Sequence, residues 1–305
     1  MGDRDGSSSL ERLIEQGWAY HDRESERLAV ELEQAADEGV APELLAPFLD
    51  IAVHTIGEHL GDWKRALVLG RRVSARHVPD LETARVWARL YVAAILAGEP
   101  VDAADFELSY VEAAGQGFGA ALDVRFMLVD ALVASNRLRE GGRLYRRALH
   151  LADVLGDSAR LDRIIAATSN NMAWELHELS SRTADENDLM RLSAETSLGY
   201  WLKCGNWINA EGAHYLNAIV ANAIGDSRSG LDHADAALAI IAANGERPLD
   251  AAQLHLARAA SLAALGDALG TAEAMRSAEA AAAKLQPELK ARFDSVRAKA
   301  VAGSA

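Results

Sequence analysis

Ser135-Asn136-Arg137-Leu138-Arg139-Glu140-Gly141-Gly142-Arg143-Leu144-Tyr145-Arg146-Arg147-Ala148 decides the fold. A helix-periodic run over 118–135 ends at Asn136, and a second run, 137–155, begins directly after it. Only a tight turn separates them, so the two helices lie antiparallel. Gly141 stands five positions after the turn residue, Tyr145 nine and Ala148 twelve. A small residue early in the second helix lets its backbone approach the first.

The same punctuation recurs at Gly61-Asp62, Gly98-Glu99, Gly156-Asp157, Gly205-Asn206, Gly225-Asp226 and Gly266-Asp267. Glycine takes the left-handed conformation that ends a helix. The Asp or Asn after it caps the next helix through a side-chain oxygen. Pro100 follows Gly98-Glu99 at a first-turn position that suits proline. Small residues follow the turns at Ala66, Ala103, Ala210 and Gly230, with Ala237 beyond. Trp63 and Trp207 stand two positions after theirs, where an aromatic shields the hairpin. The periodicity predicts helices over 8–20, 24–38, 43–60, 62–77, 80–97, 100–115, 118–135, 137–155, 157–180, 185–204, 206–224, 226–244, 248–265, 267–285 and 287–301.

Asn136, Gly141, Tyr145 and Ala148, the partial match of Gly61, Ala66 and Pro79, and the Asn171-Met172-Ala173 step together resemble the tetratricopeptide repeat family. The resemblance covers roughly residues 40–285. The intervals between successive hairpins are about 37 to 49 residues, longer than that family's period of about 34, so the chain resembles a degenerate, long-helix variant. The polar stretch 180–187 lengthens one repeat. The resemblance implies an all-α, right-handed α-solenoid of about seven antiparallel hairpins. A thin apolar face over 287–301 suits the terminal capping helix such an array needs. One domain over 8–301 is expected, between disordered tails at 1–7 and 302–305.

Composition agrees. About one residue in five is alanine, the strongest helix former. The run Ala280–Ala283 falls outside the close-approach phase and reads as propensity alone. Only 6 prolines and a 6% aromatic content argue against an all-β chain. The net charge of −14 is wrong for nucleic acid and repels anionic membranes, so neither is an expected partner. Arg71–Arg72 and Arg143, Arg146, Arg147 lie among helix-spaced apolar residues and read as solvated faces. The single cysteine, Cys204, allows no internal disulfide and suits the cytoplasm. The first residues carry no secretory signal pattern, and no apolar run is long enough to span a bilayer.

Signals for chemistry are sparse. Gly115-Gln-Gly117-Phe-Gly119 follows a helix where a phosphate loop needs a strand, and it reads as a turn. Glu211 and His214 are one helical turn apart, as in di-iron bundles, but no second Glu-x-x-His exists. His54 and Glu58, with His59 adjacent, and the Trp174–Glu178 cluster read as helix-face polar residues. No nucleophile signature is visible. The expectation is therefore no catalytic residue, no metal ligand and no cofactor.

In the tetratricopeptide family the first helix of each hairpin lines a concave surface. By that resemblance the inward positions are Thr55, Glu58 and His59; Arg85; Asp123, Phe126 and Asp130; Asn170, Trp174, His177 and Glu178; Tyr215 and Asn222; and Gln253. Amides suit an extended peptide backbone, and aromatics supply anchoring area. Aromatics at helical spacing also serve as core, which is the competing reading for Trp174 and Phe126. With Arg85 as the only arginine of the stripe, a basic clamp for a peptide carboxylate is not expected. The leading expectation is a non-catalytic scaffold for a protein or extended peptide segment. Two alternatives are a sensor for a small molecule or signalling peptide, and an enzyme or metalloprotein on the same scaffold. Nothing in the sequence speaks to oligomeric state.

Overall fold

The computed structural model describes residues 8–115, 118–155 and 159–302. The expected tail at 1–7, residues 303–305 of the expected tail 302–305, the Gly156-Asp157 turn and the centre of the Gly115–Gly119 stretch lie outside the described residues, whereas Ala302 ends the last helix. All regular structure among the described residues is helical. The chain divides into two compact units, residues 1–156 and 157–305.

The first unit holds α1 (Ser9–Gly17), α2 (Ser25–Glu38), α3 (Pro42–Ala52), α4 (Trp63–Ser74), α5 (Ala84–Ala97), α6 (Pro100–Ala114), α7 (Phe118–Ala134) and α8 (Leu138–Leu155). The second holds α9 (Ala159–Glu178), α10 (Ala184–Cys204), α11 (Trp207–Ala223), α12 (Ser227–Asn244), α13 (Pro248–Ala264), α14 (Ala268–Ala282) and α15 (Pro287–Ala302). Sequential pairs such as α5–α6, α9–α10, α11–α12 and α13–α14 pack as antiparallel hairpins. The first helices of successive hairpins also touch: α3 with α5 and α5 with α7 in one unit, α9 with α11 and α11 with α13 in the other. This layering of first helices is solenoid-like in each unit. Among the described residues no helix is long and apolar enough to cross a membrane.

The turns follow the local chemistry. Gly61, Gly98, Gly225 and Gly266 have φ of 69°, 81°, 84° and 80°, and Asn136 joins them at 57°. The side chains of Asp62, Asp226 and Asp267 accept from the backbone N–H of Arg65, Ser229 and Gly270. Gly205 departs from this pattern: its backbone is extended, at φ −93°. A Cβ at Gly205 would stand 2.7 Å from the Trp201 carbonyl oxygen and 2.8 Å from Asn209 Cβ, so close approach is what requires glycine there.

Three elements differ from the periodicity. The expected helix 80–97 begins at Ala84, because Asp80 and Thr83 bond each other through side chain and backbone in a preceding turn. The expected helix 43–60 becomes π-helical over Val53–His59, with the Leu60 N–H donating to the Thr55 carbonyl five residues back. Ala282, expected to reflect propensity alone, is buried with Ala252, Leu256, Ala278 and Phe293. Phe293 is the large apolar group by which α15 docks on its neighbours.

The first unit has a core of large side chains, including Phe48, Leu49, Ile51, Trp87 and Leu90. The second also buries large side chains, among them Ile165, Met172, Leu176, Met190 and Leu216, and adds small contacts such as Ala218–Ala234–Ala257 and Ala237–Ile241–Leu254. Alanine at these contacts lets helix axes approach more closely than leucine would. Ala66, Ala103, Ala148, Ala210 and Ala237 are all buried.

Candidate functional site

Within residues 157–305, α9 carries Asn170, Trp174, His177 and Glu178, four positions that share one helical stripe. Its last turn is held by Arg182, whose Nη1 donates to the carbonyls of Leu176, His177 and Leu179 at 3.0–3.1 Å. Arg182 Nε donates to Asn187, and Thr183 with Glu186 makes a reciprocal cap for α10. The polar stretch 180–187 is thus a clamp that satisfies the end of α9 and fixes the direction of its last side chains.

The half-buried Trp174 ring stands 5.9 Å from His177, edge-on, and 6.0 Å from Tyr215 on α11. Burial pushes the Tyr215 phenol up to about 12; Asp250, Glu211 and Glu178 push the same way, and Arg292 opposes them. Glu211 lies one turn before Tyr215, with its side chain 3% exposed and Arg247 Nε 3.7 Å away. Burial, assisted by Asp250 and opposed by Arg247, raises its carboxyl to about 7. Arg247 is also paired with Asp250. The result is an aromatic trio, Trp174–His177–Tyr215, flanked by Glu178, Glu211 and Asp250. It can hold an apolar side chain against the rings with polar groups beside it.

The other stripe residues are placed differently. Asn222 donates to the Ala257 carbonyl at 2.9 Å and accepts from Ser261 at 2.7 Å, tying α11 to α13. Gly230 makes room for it, since a Cβ there would stand 2.6 Å from Asn222 Oδ1. Gln253 is buried. In the first unit Phe126 is fully buried, edge-on to Tyr145 at 6.4 Å, and buried Asp123 accepts from Tyr110 at 3.1 Å. Asp130 is half-buried and Thr55 is buried. Arg85 pairs with Asp50, which also accepts from Arg89.

Glu58 and His59 belong to a second cluster. His54 Nδ1 is 2.5 Å from the Glu58 carboxylate, and His54 Nε2 is 3.1 Å from His59 Nε2. His21, from the α1–α2 connection, brings its ring centroid to 5.0 Å from both. Trp18 lies 5.3 Å from His21 and 5.4 Å from His54. Partial burial, then the neighbouring imidazoles of His54 and His21, lower the pKa of His59. Periodicity missed His21, which is distant in sequence, and Arg247, which lies outside a helix. Glu211 and His214 turn to different partners: His214 Nδ1 is 3.0 Å from His233 Nδ1.

No known protein family matches the chain, and no curated protein is similar to it. Among solved structures, BtubC (BKLC) from P. vanneervenii is similar with a TM-score of 0.53 at 14% identity, over 92% of this chain and 95% of that one. A tetratricopeptide repeat protein from Parabacteroides merdae aligns over 95% of this chain and 99% of its own, at 13% identity and a TM-score of 0.34. From its helix pairing, its turn chemistry and the likeness to BtubC, the protein has an all-α, solenoid-like fold of antiparallel helix hairpins.

Proposed function

We propose that the protein is a non-catalytic binding scaffold. It takes an extended protein or peptide segment on the α9–α11 face that carries Asn170, Trp174, His177, Glu178 and Tyr215. The observation that carries this reading is Trp174: half-buried, in ring contact with both His177 and Tyr215, on a helix end fixed by Arg182. A rigid aromatic group already held by its neighbours loses little entropy on binding and anchors a partner well. The Asn170 amide matches a peptide backbone, which both donates and accepts. The net charge of −14 favours a segment containing Lys or Arg. In this reading Thr55, Asp123, Phe126, Asn222 and Gln253 support the fold rather than touch the partner. The single cysteine, whose thiol pKa burial raises, fits a cytoplasmic setting.

Peptides selected from a displayed random library on the full chain test this. Binding should weaken by roughly 2 kcal/mol, about 30-fold, in Trp174→Ala, with helical circular dichroism retained. Selected peptides that bind Trp174→Ala and His177→Ala as tightly as the parent would overturn the assignment.

A further inference from the structure

We propose that His21, His54 and His59 form a binding site for one first-row transition-metal ion of the zinc type. The proposal concerns residues 1–156 and is independent of the peptide-binding reading. One ring nitrogen from each of the three residues lies within 4.8 Å of the others. Tetrahedral zinc with Zn–N of about 2.0–2.1 Å sets nitrogen–nitrogen separations of about 3.3–3.4 Å. His54 Nε2 and His59 Nε2 are already 3.1 Å apart. His21 is half-buried on a connection between helices, so rotation of its side chain can bring in the third donor.

The outer partners select the tautomer that a metal needs. His54 Nδ1 faces the Glu58 carboxylate, and His21 Nδ1 faces the Trp18 carbonyl at 2.9 Å. Both acceptors take the Nδ1 proton, which leaves Nε2 of each ring with its lone pair outward. A ligating histidine commonly has such an arrangement. The backbone contributes independently. Residues five apart diverge on an α-helix, but the π-helical turn over Val53–His59 stacks His54 and His59. Such turns are rare and concentrate at functional sites.

Three imidazoles without a thiolate suit Zn²⁺, Co²⁺, Ni²⁺ or Cu²⁺, whereas Mg²⁺ and Ca²⁺ want oxygen. His59 is exposed, which gives an ion access and leaves a further position to water.

The test uses the full chain, freed of metal with EDTA and titrated with Zn²⁺ by calorimetry and with Co²⁺ by visible absorption. One Zn²⁺ per chain is expected, with a rise in Tm and a Co²⁺ spectrum of low coordination number. Glu58→Gln should weaken Zn²⁺ binding by roughly 10–100-fold, and His21→Ala or His59→Ala by more. His233→Ala, in the other histidine pair, should bind Zn²⁺ like the parent. His21→Gln and His59→Gln serve if an alanine variant loses helical dichroism. Failure of the parent to take up stoichiometric Zn²⁺ overturns the proposal. So does binding that survives loss of His21 and His59, or that His233→Ala removes.

Discussion

Glu211 shows how much one side chain can depend on residues far from it in sequence. On α11 it is an ordinary helix position, one turn from His214 and from Tyr215. In the folded chain its carboxyl is buried beside Asp250, with Arg247 only 3.7 Å away, and its pKa rises from 4.5 to about 7. A carboxyl that binds its proton more tightly when folded favours the folded state below the unfolded pKa. That contribution is lost as pH rises from about 4.5 to 7 and is constant above. Stability should therefore fall by roughly 1–3 kcal/mol across that window on account of this group. Glu211→Gln keeps the shape and cannot ionise, so urea denaturation should show a flatter pH dependence between pH 5 and 8. An equal slope in parent and variant would contradict this. Gly205 makes a related point: its identity was legible, but the reason for it was close packing rather than a left-handed turn.

Elements were largely legible because their ends are chemically local. A left-handed glycine followed by an Asp cap, as at Gly61, Gly225 and Gly266, or the left-handed Asn136 alone, needs only a few neighbouring residues, and the chain writes that signal repeatedly. The π-helical segment was not legible. One residue inserted into a helix leaves the apolar spacing on either side intact, so 43–60 reads as continuous. Its packing gives a test. Trp63 covers Gly57, and a Cβ on Gly57 would stand 2.5 Å from the indole. Trp63 is buried at the start of α4 and has little freedom to move aside. Gly57→Ala should destabilise by about 1–3 kcal/mol through overpacking, seen as a lower Tm. An unchanged Tm would show that the ring relaxes.

For the whole molecule, each unit has a set of first helices in mutual contact, and the second combines buried large side chains such as Met172, Leu176, Met190 and Leu216 with close alanine contacts. Each hairpin of such an array buries its apolar face on its neighbours, so several consecutive hairpins suffice for stability. A chain of residues 159–302 alone is therefore expected to fold, with helical dichroism and cooperative unfolding in urea. A non-cooperative transition would show that it needs the preceding residues. If the fragment folds, loss of peptide binding on Trp174→Ala should persist in it.

The succession of antiparallel helices, the places where most of them turn, and most of the small residues that face neighbouring helices are legible from the chain alone. Those properties rest on capping, backbone conformation and helical spacing, all set within a few residues. Which side chains meet is set by the packing of helices distant in sequence. Trp174 reaches Tyr215, Glu211 meets Arg247, and His21 joins His54 and His59 through helix packing and one π-helical turn. The tertiary structure also divides the aromatics, burying Phe126 and leaving Trp174 half-exposed, because the packing of neighbouring helices decides whether a helical stripe is covered.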